Sequence, residues 1–185
     1  MTNRVTMKNQ RILVSLVLCV YLVQLTFVPI VLANAPVLDS STAGVSFTGV
    51  GTSHLTITST ALSSIVNAPL GFDIGRTDVT NVNQAHNASM LVRIGGSLTH
   101  IDGHLNAMGQ LILLNPNGVI FGPSAQINVG SLIVSSLALS NADFMRGYYL
   151  FQGAGIEGLV KNLGGINASQ GGVRSEEHTS ELQSR

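Results

Sequence analysis

His100 and His104 stand four residues apart with Asp102 between them, the spacing at which two imidazoles on one helical turn grip zinc. Gly103 and the strand-forming neighbours argue against a helix there, and the chain has no HExxH. On a strand the two histidines would share a face with Asp102 alongside, as a solvated or turn-lining pair. Gly153-Ala154-Gly155-Ile156-Glu157-Gly158 has the glycine spacing of a dinucleotide loop. Such a loop needs a helix directly after it to hold the pyrophosphate, and only Leu159 to Leu163 stand before Gly164-Gly165. Cleavage of a glycosidic bond needs two carboxylates at a set separation. Between Asn34 and Val173 the acids are Asp39, Asp73, Asp78, Asp102, Asp143 and Glu157, and no two lie within four positions of each other. Asp102 and Asp143 would have to be joined by the fold. There is no GxSxG turn, and the single cysteine, Cys19, sits in an apolar leader, which leaves no Cys–His chemistry. Asn87 and Asn167 begin glycan-acceptor triplets, matches that chance supplies in a chain rich in Asn and Ser. No catalytic, cofactor or metal site is expected.

The elements that would position these residues fall into three unlike segments. Arg4, Lys8 and Arg11 form a basic start, and Ile12 to Val23 is apolar apart from Ser15. Val31-Leu32-Ala33 then offers a small-residue exit, so Met1–Ala33 reads as a secretory signal peptide cut after Ala33. The apolar core is about a dozen residues, short of the roughly 20 that a spanning helix needs. The last segment, Arg174–Arg185, reads RSEEHTSELQSR and has no glycine. It resembles the translation of a sequencing-library adapter, so the reading frame is expected to be cut short, and the segment carries no functional argument. Asn34–Val173 is then the domain, and it holds all 20 glycines of the chain. Its four basic residues (Arg76, Arg93, Arg146, Lys161) against six acidic ones give a net charge of −2 by difference, which offers no footprint for nucleic acid.

Within the domain, short apolar runs are bounded by Gly, Asn, Asp and Pro, the strand signal. Short runs of three to five residues are expected at Val45–Phe47, His54–Ile57, Met90–Ile94, Gln110–Leu114, Val119–Phe121, Ala125–Val129, Leu132–Val134 and Tyr148–Phe151. An apolar–Asn–small signature recurs at Asn106, Asn128 and Asn167, 22 and then 39 residues apart. A period near 20, with 39 taken as two steps, suggests a solenoid whose coils stack strand on strand. An antiparallel β-sandwich is the rival fold, and it predicts hairpin dipeptides. The one Asn-Gly, Asn117-Gly118, is instead part of a Pro-Asn turn.

That turn lies in LILLNPNGVIFGP, Leu111 to Pro123. Asn115 can cap it, Pro116 fixes φ at the first central position, Asn117 tolerates the second, and Gly118 suits the exit. With its apolar flanks the segment resembles the N-terminal domain of filamentous-haemagglutinin-type exoproteins of two-partner secretion. Gly122 to Leu137, Ile65-Val66-Asn67 with Phe72-Asp73-Ile74-Gly75, and Asn141-Ala142-Asp143-Phe144 extend the likeness from about Val45 to Gly172. It departs at Ala68, where family members often carry Trp, and over Asp78–Met90.

The resemblance implies an all-β, right-handed, single-stranded parallel β-helix with capping strands, the handedness following the general rule for parallel crossovers. It implies an adhesin or haemagglutinin exported through the inner membrane. Its unfolded N-terminal domain is recognised by a dedicated outer-membrane β-barrel transporter, then folds at the cell surface and templates later coils. Any receptor would be bound through the length beyond Gly172. Two roles are open for Asn115, Pro116, Asn117 and Gly118: recognition by the transporter, or shaping the fold alone. The competing functional readings are a free-standing β-helix enzyme acting on polysaccharide, and a self-contained adhesin that needs no transporter.

Overall fold

The computed structural model describes residues 38–153 and 158–176. The export segment Met1–Ala33, the tail beyond Glu176, and Ala154–Glu157 of the glycine-rich motif lie outside them. The chain winds repeatedly past three faces. The first face holds β3 (His54–Ser59), β5 (Val79–Asn83), the start of β8 (His104–Leu114), the start of β10 (Gln126–Ser135) and β12 (Gly165–Ala168), all parallel. The second holds β4 (Ser63–Ala68), β6 (Ser89–Ile94), the ends of β8 and β10, and β13 (Val173–Glu176), also parallel. The third is narrower: β7 (Thr99–Ile101), β9 (Val119–Phe121) and β11 (Val160–Asn162), with Ile74 bridged to Ile101. This is a parallel β-helix, and the sandwich alternative is excluded by its parallel registers. Among the named strands, antiparallel pairing is confined to β1 (Asp39–Ser40) on β4 and β2 (Val45–Thr48) on β3, which cap the N-terminal edge.

Register follows from burial. On the first face residues alternate between core and surface, so Leu55, Leu105 and Ile127 point inward in one row and Ile57, Val82 and Val129 in the next. A one-residue slip would turn each row out to water. Between those rows Thr56, Asn81, Asn106, Asn128 and Asn167 are successive partners on the outer surface. Asn106 Nδ2 donates to Asn81 Oδ1 at 3.0 Å, and Asn128 Nδ2 to Asn106 Oδ1 at 3.3 Å. The recurrent asparagines therefore mark one position per coil. The 39-residue interval is a single step, not two: Asn128 pairs directly with Asn167, and the surplus leaves the helix as an insertion between β10 and β11.

That insertion explains why the second face is buried on both sides. Val66, Val92, Leu113 and Val134 point into the helix, while Ile65, Leu91, Ile112 and Ile133 form an aliphatic row on the outside. The short helix α1 (Asn141–Met145) covers that row with Phe144, helped by Leu139, Tyr149 and Phe151. Ser140 caps α1, its Oγ accepting from Asp143 N at 3.0 Å. Arg93 and Tyr149 fasten the cover. Arg93 donates to Asn141 Oδ1 at 2.8 Å and to Leu139 O, and burial pushes its guanidinium pKa down. Tyr149 Oη donates to Gln110 Oε1 at 2.7 Å. The strand expected at Tyr148–Phe151 is absent: Tyr149 and Phe151 pack onto the row, and one antiparallel bridge joins Gln152 to Ala138.

The expected run length also fails at β8 and β10, which span 11 and 10 residues because they continue round the corner from the first face to the second. Gly109 permits the corner. A Cβ there would lie 2.3 Å from Ala88 O and 2.6 Å from Ala85 O of the preceding coil. Gly109→Ala is expected to destabilise the domain by about 2 kcal/mol or more through forced backbone movement, read from the urea midpoint. Phe144→Ala, which empties a site that is 1% exposed, is expected to cost roughly 3–5 kcal/mol in the same assay; a loss below ~1 kcal/mol would mean that the cover is not part of the cooperative core.

Candidate functional site

Asn115, Pro116, Asn117 and Gly118 form the corner between the end of β8 and β9. Gly118 N donates to Asn115 O at 2.9 Å, closing a four-residue turn, and Asn115 Oδ1 accepts from Asn117 N at 2.9 Å, a side-chain cap of the kind short asparagines favour. No non-glycine residue among those described has positive φ, whereas Gly118 has φ 96°. The left-handed conformation is thus placed on glycine, where it carries no Cβ penalty.

The four residues divide sharply in environment. Asn115 is fully buried and ties three coils together. Its Nδ2 donates to Ser97 O and to Thr99 Oγ1, both at 2.9 Å, in the preceding coil, and its N donates to Ser135 O at 3.0 Å in the following one. Pro116 and Asn117 are exposed. Asn117 Nδ2 reaches Gly96 O at 2.7 Å, and Pro116 O accepts from Gly158 N at 2.8 Å. Gly118 is buried against the coil above: a Cβ on it would sit 2.4 Å from Leu159 O. The corner has neighbours on both sides, with Gly96–Thr99 below it and Gly158-Leu159 above.

The other candidate chemistry is dispersed. His100 lies on β7 and His104 opens β8, with the corner at Asp102-Gly103 between them. They therefore occupy different faces, contrary to the shared face expected of one strand, because glycine turns the chain between them. Among the described residues no group of three or more His, Cys, Asp or Glu could hold a metal ion. Gly158 leads into β11, a strand, so the glycine-rich motif is not followed by the helix a dinucleotide site requires. The carboxylates serve turns and edges. Asp73 Oδ1 accepts from His100 N at 2.7 Å, Asp78 Oδ2 from Gly75 N at 3.2 Å, and Asp143 Oδ2 from Ser140 Oγ at 2.6 Å. Asp102 at its corner and Asp143 in α1 belong to different parts of the coil.

Sequence reasoning missed two contributors. Asn81 is the ladder residue below Asn106, hidden because Thr80 precedes it where the other copies have Leu105, Ile127 and Ile166. Arg93 had no visible partner, since Leu139 and Asn141 lie more than forty positions away.

Comparison with known proteins gives a consistent answer. The family model described as "TPS secretion domain" matches residues 37–185. A heme/hemopexin-binding protein of Haemophilus influenzae is 34% identical over 82 residues, 43% of this chain and 9% of that protein. The same-named protein of a second strain is 37% identical over 67 residues, 35% of this chain and 7% of that protein. The matched stretch thus spans less than a tenth of these relatives. The crystal structure of the HMW1 secretion domain from Haemophilus influenzae superposes with a TM-score of 0.64 at 23% identity, over 70% of this chain and 35% of that one, and supports the β-helix fold. With the match covering most of the sequence, the chain belongs to the TPS secretion domain family.

Proposed function

We propose that Asn34–Val173 is the secretion-targeting and fold-nucleating domain of a larger surface adhesin or haemagglutinin, delivered across the inner membrane by Met1–Ala33. A dedicated outer-membrane β-barrel transporter recognises the unfolded chain, which folds on emergence. The family match over residues 37–185 carries this reading. The capped N-terminal edge supports the folding half: β1 and β2 pair antiparallel with the first coil, so later coils can add only toward the C-terminus. Each coil contacts only its neighbours in a solenoid, and an early folded unit lets the rest propagate. This reading assigns the domain no catalytic role and no cofactor; Asp73, Asp78 and Asp143 are engaged in turns and edges. Heme or hemopexin binding, for which two relatives are named, belongs in this reading to the length outside the matched stretch, as does any host receptor.

Asn115, Pro116, Asn117 and Gly118 are proposed as the stretch that the transporter reads. Co-expression of the full chain with its transporter in a heterologous Gram-negative host tests both parts. Without the transporter the chain should stay in the periplasm; release into the medium regardless would overturn the reading. Asn115→Ala removes three side-chain hydrogen bonds and is expected to cost roughly 3 kcal/mol, so its secretion defect is uninformative alone. Pro116→Ala keeps the carbonyl that Gly158 uses and should lose no more than ~1 kcal/mol. If the turn is read as sequence, its secretion falls about fivefold or more, equivalent to roughly 1 kcal/mol of recognition. Secretion that merely tracks stability across both variants would leave the turn a purely structural role.

A further inference from the structure

We propose that Asn117-Gly118 is a self-modifying site that folding switches off: Asn117 deamidates while the chain is unfolded and is held inert once the coils close around the turn. It is the one Asn-Gly of the sequence. Glycine leaves its backbone nitrogen unhindered toward the preceding side chain, which makes this the chain's most reactive asparagine. Asn115 is spared, because Pro116 has no N–H to lose.

The step balances with water as the only co-reactant. The Gly118 backbone nitrogen gives its proton to solvent and attacks Asn117 Cγ. The N–Cγ bond forms, the Cγ–Nδ2 bond breaks, and ammonia leaves with a proton taken from solvent. Water then opens the cyclic imide at one of its two carbonyls, giving aspartate or isoaspartate.

In the folded chain all the reacting parts are held. The nucleophile's N–H is committed to Asn115 O at 2.9 Å. The leaving amide is pinned to Gly96 O at 2.7 Å. Rotation of the intervening backbone is blocked from above, where Gly158 packs so closely that a Cβ on it would lie 2.0 Å from Asn117 C. Conversion in the unfolded state cannot be accommodated afterwards. Aspartate loses the donor to Gly96 O and sets a carboxylate beside a carbonyl, and isoaspartate adds a methylene to a backbone clamped on both sides. If the domain crosses the envelope unfolded, as proposed above, a chain that waits too long loses its competence to fold. The chemistry itself does not depend on that reading.

The test holds the full chain in native buffer and in the same buffer with denaturing urea, at one mildly alkaline pH and temperature. Residue 117 is followed by peptide mass spectrometry with enzymatic detection of isoaspartate. Conversion is expected to be at least about tenfold faster unfolded, because reaction in the native state must wait for local opening; equal rates would overturn the proposal. The aged unfolded chain is then returned to native buffer and its folded fraction isolated. Converted residue 117 should be depleted from that fraction, and its presence there with native thermal stability would overturn the claim that conversion blocks folding. Neither readout involves the transporter, so failure here and failure of the secretion experiment are separate results.

Discussion

Apart from β2, which folds back on its neighbour β3, every named strand finds backbone partners in another coil, 20 or more residues away in the sequence, and that constraint governs the rest. Parallel pairing at a spacing of about 4.8 Å brings each residue over its counterpart in the coil before. What sits at one level must therefore tolerate a near-copy directly above it. Aliphatic residues stack on aliphatic residues inside the helix, and asparagine stacks on asparagine outside it. An amide suits such a column because it both donates and accepts, so Asn81, Asn106 and Asn128 satisfy one another without a charge at any level. A carboxylate or an ammonium repeated at that spacing would repel itself.

The same constraint makes corners and ends the costly places. At a corner the backbones of successive coils come so close that a methyl group would overlap a carbonyl below, as at Gly109, so side-chain volume is excluded there. At the N-terminal end no coil lies beneath the first among the described residues, and β1 and β2 reverse direction to pair with it. An unpaired edge would otherwise invite association. The insertion after β10 is a third response. An outward aliphatic row on the second face would be an exposed patch, and Phe144, Leu139 and Tyr149 cover it. Arg93 binds that cover to β6 through Leu139 and Asn141.

Much of this was legible in the residues. Short runs punctuated by glycine and asparagine pointed to strands, and the Asn106, Asn128 and Asn167 signature marked true register positions. The turn at Asn115 was visible from proline and glycine chemistry alone. Three things were hidden for the same reason, that they depend on which coil lies next to which. The 39-residue interval looked like two coils because sequence distance cannot separate a coil from an excursion. Tyr148–Phe151 looked like a strand because an aromatic–aliphatic run reads the same whether it enters a sheet or packs across one. The depth of Asn115 was invisible because its partners Ser97, Thr99 and Ser135 come from two other coils.

The last strand bears on how far such a helix can direct the addition of further coils. Val173 to Glu176 pairs with Leu132 to Ser135 in parallel register, with Ser135 Oγ donating to Glu176 O at 2.8 Å. The residues there are poor material for the solenoid: Ser175 stands opposite Val134 at an inward level, and Arg174 opposite Ile133 of the outer row. The pairing is made by backbone groups, which every residue but proline offers in full. The backbone groups along the edge of β10 thus hold a strand in register even where its side chains suit the solenoid poorly. Side chains then decide whether that strand stays, through the burial each inward aliphatic adds, roughly 1.5–3 kcal/mol. Pairing at the edge and burial in the core are thus separate contributions, the first independent of side-chain type and the second not.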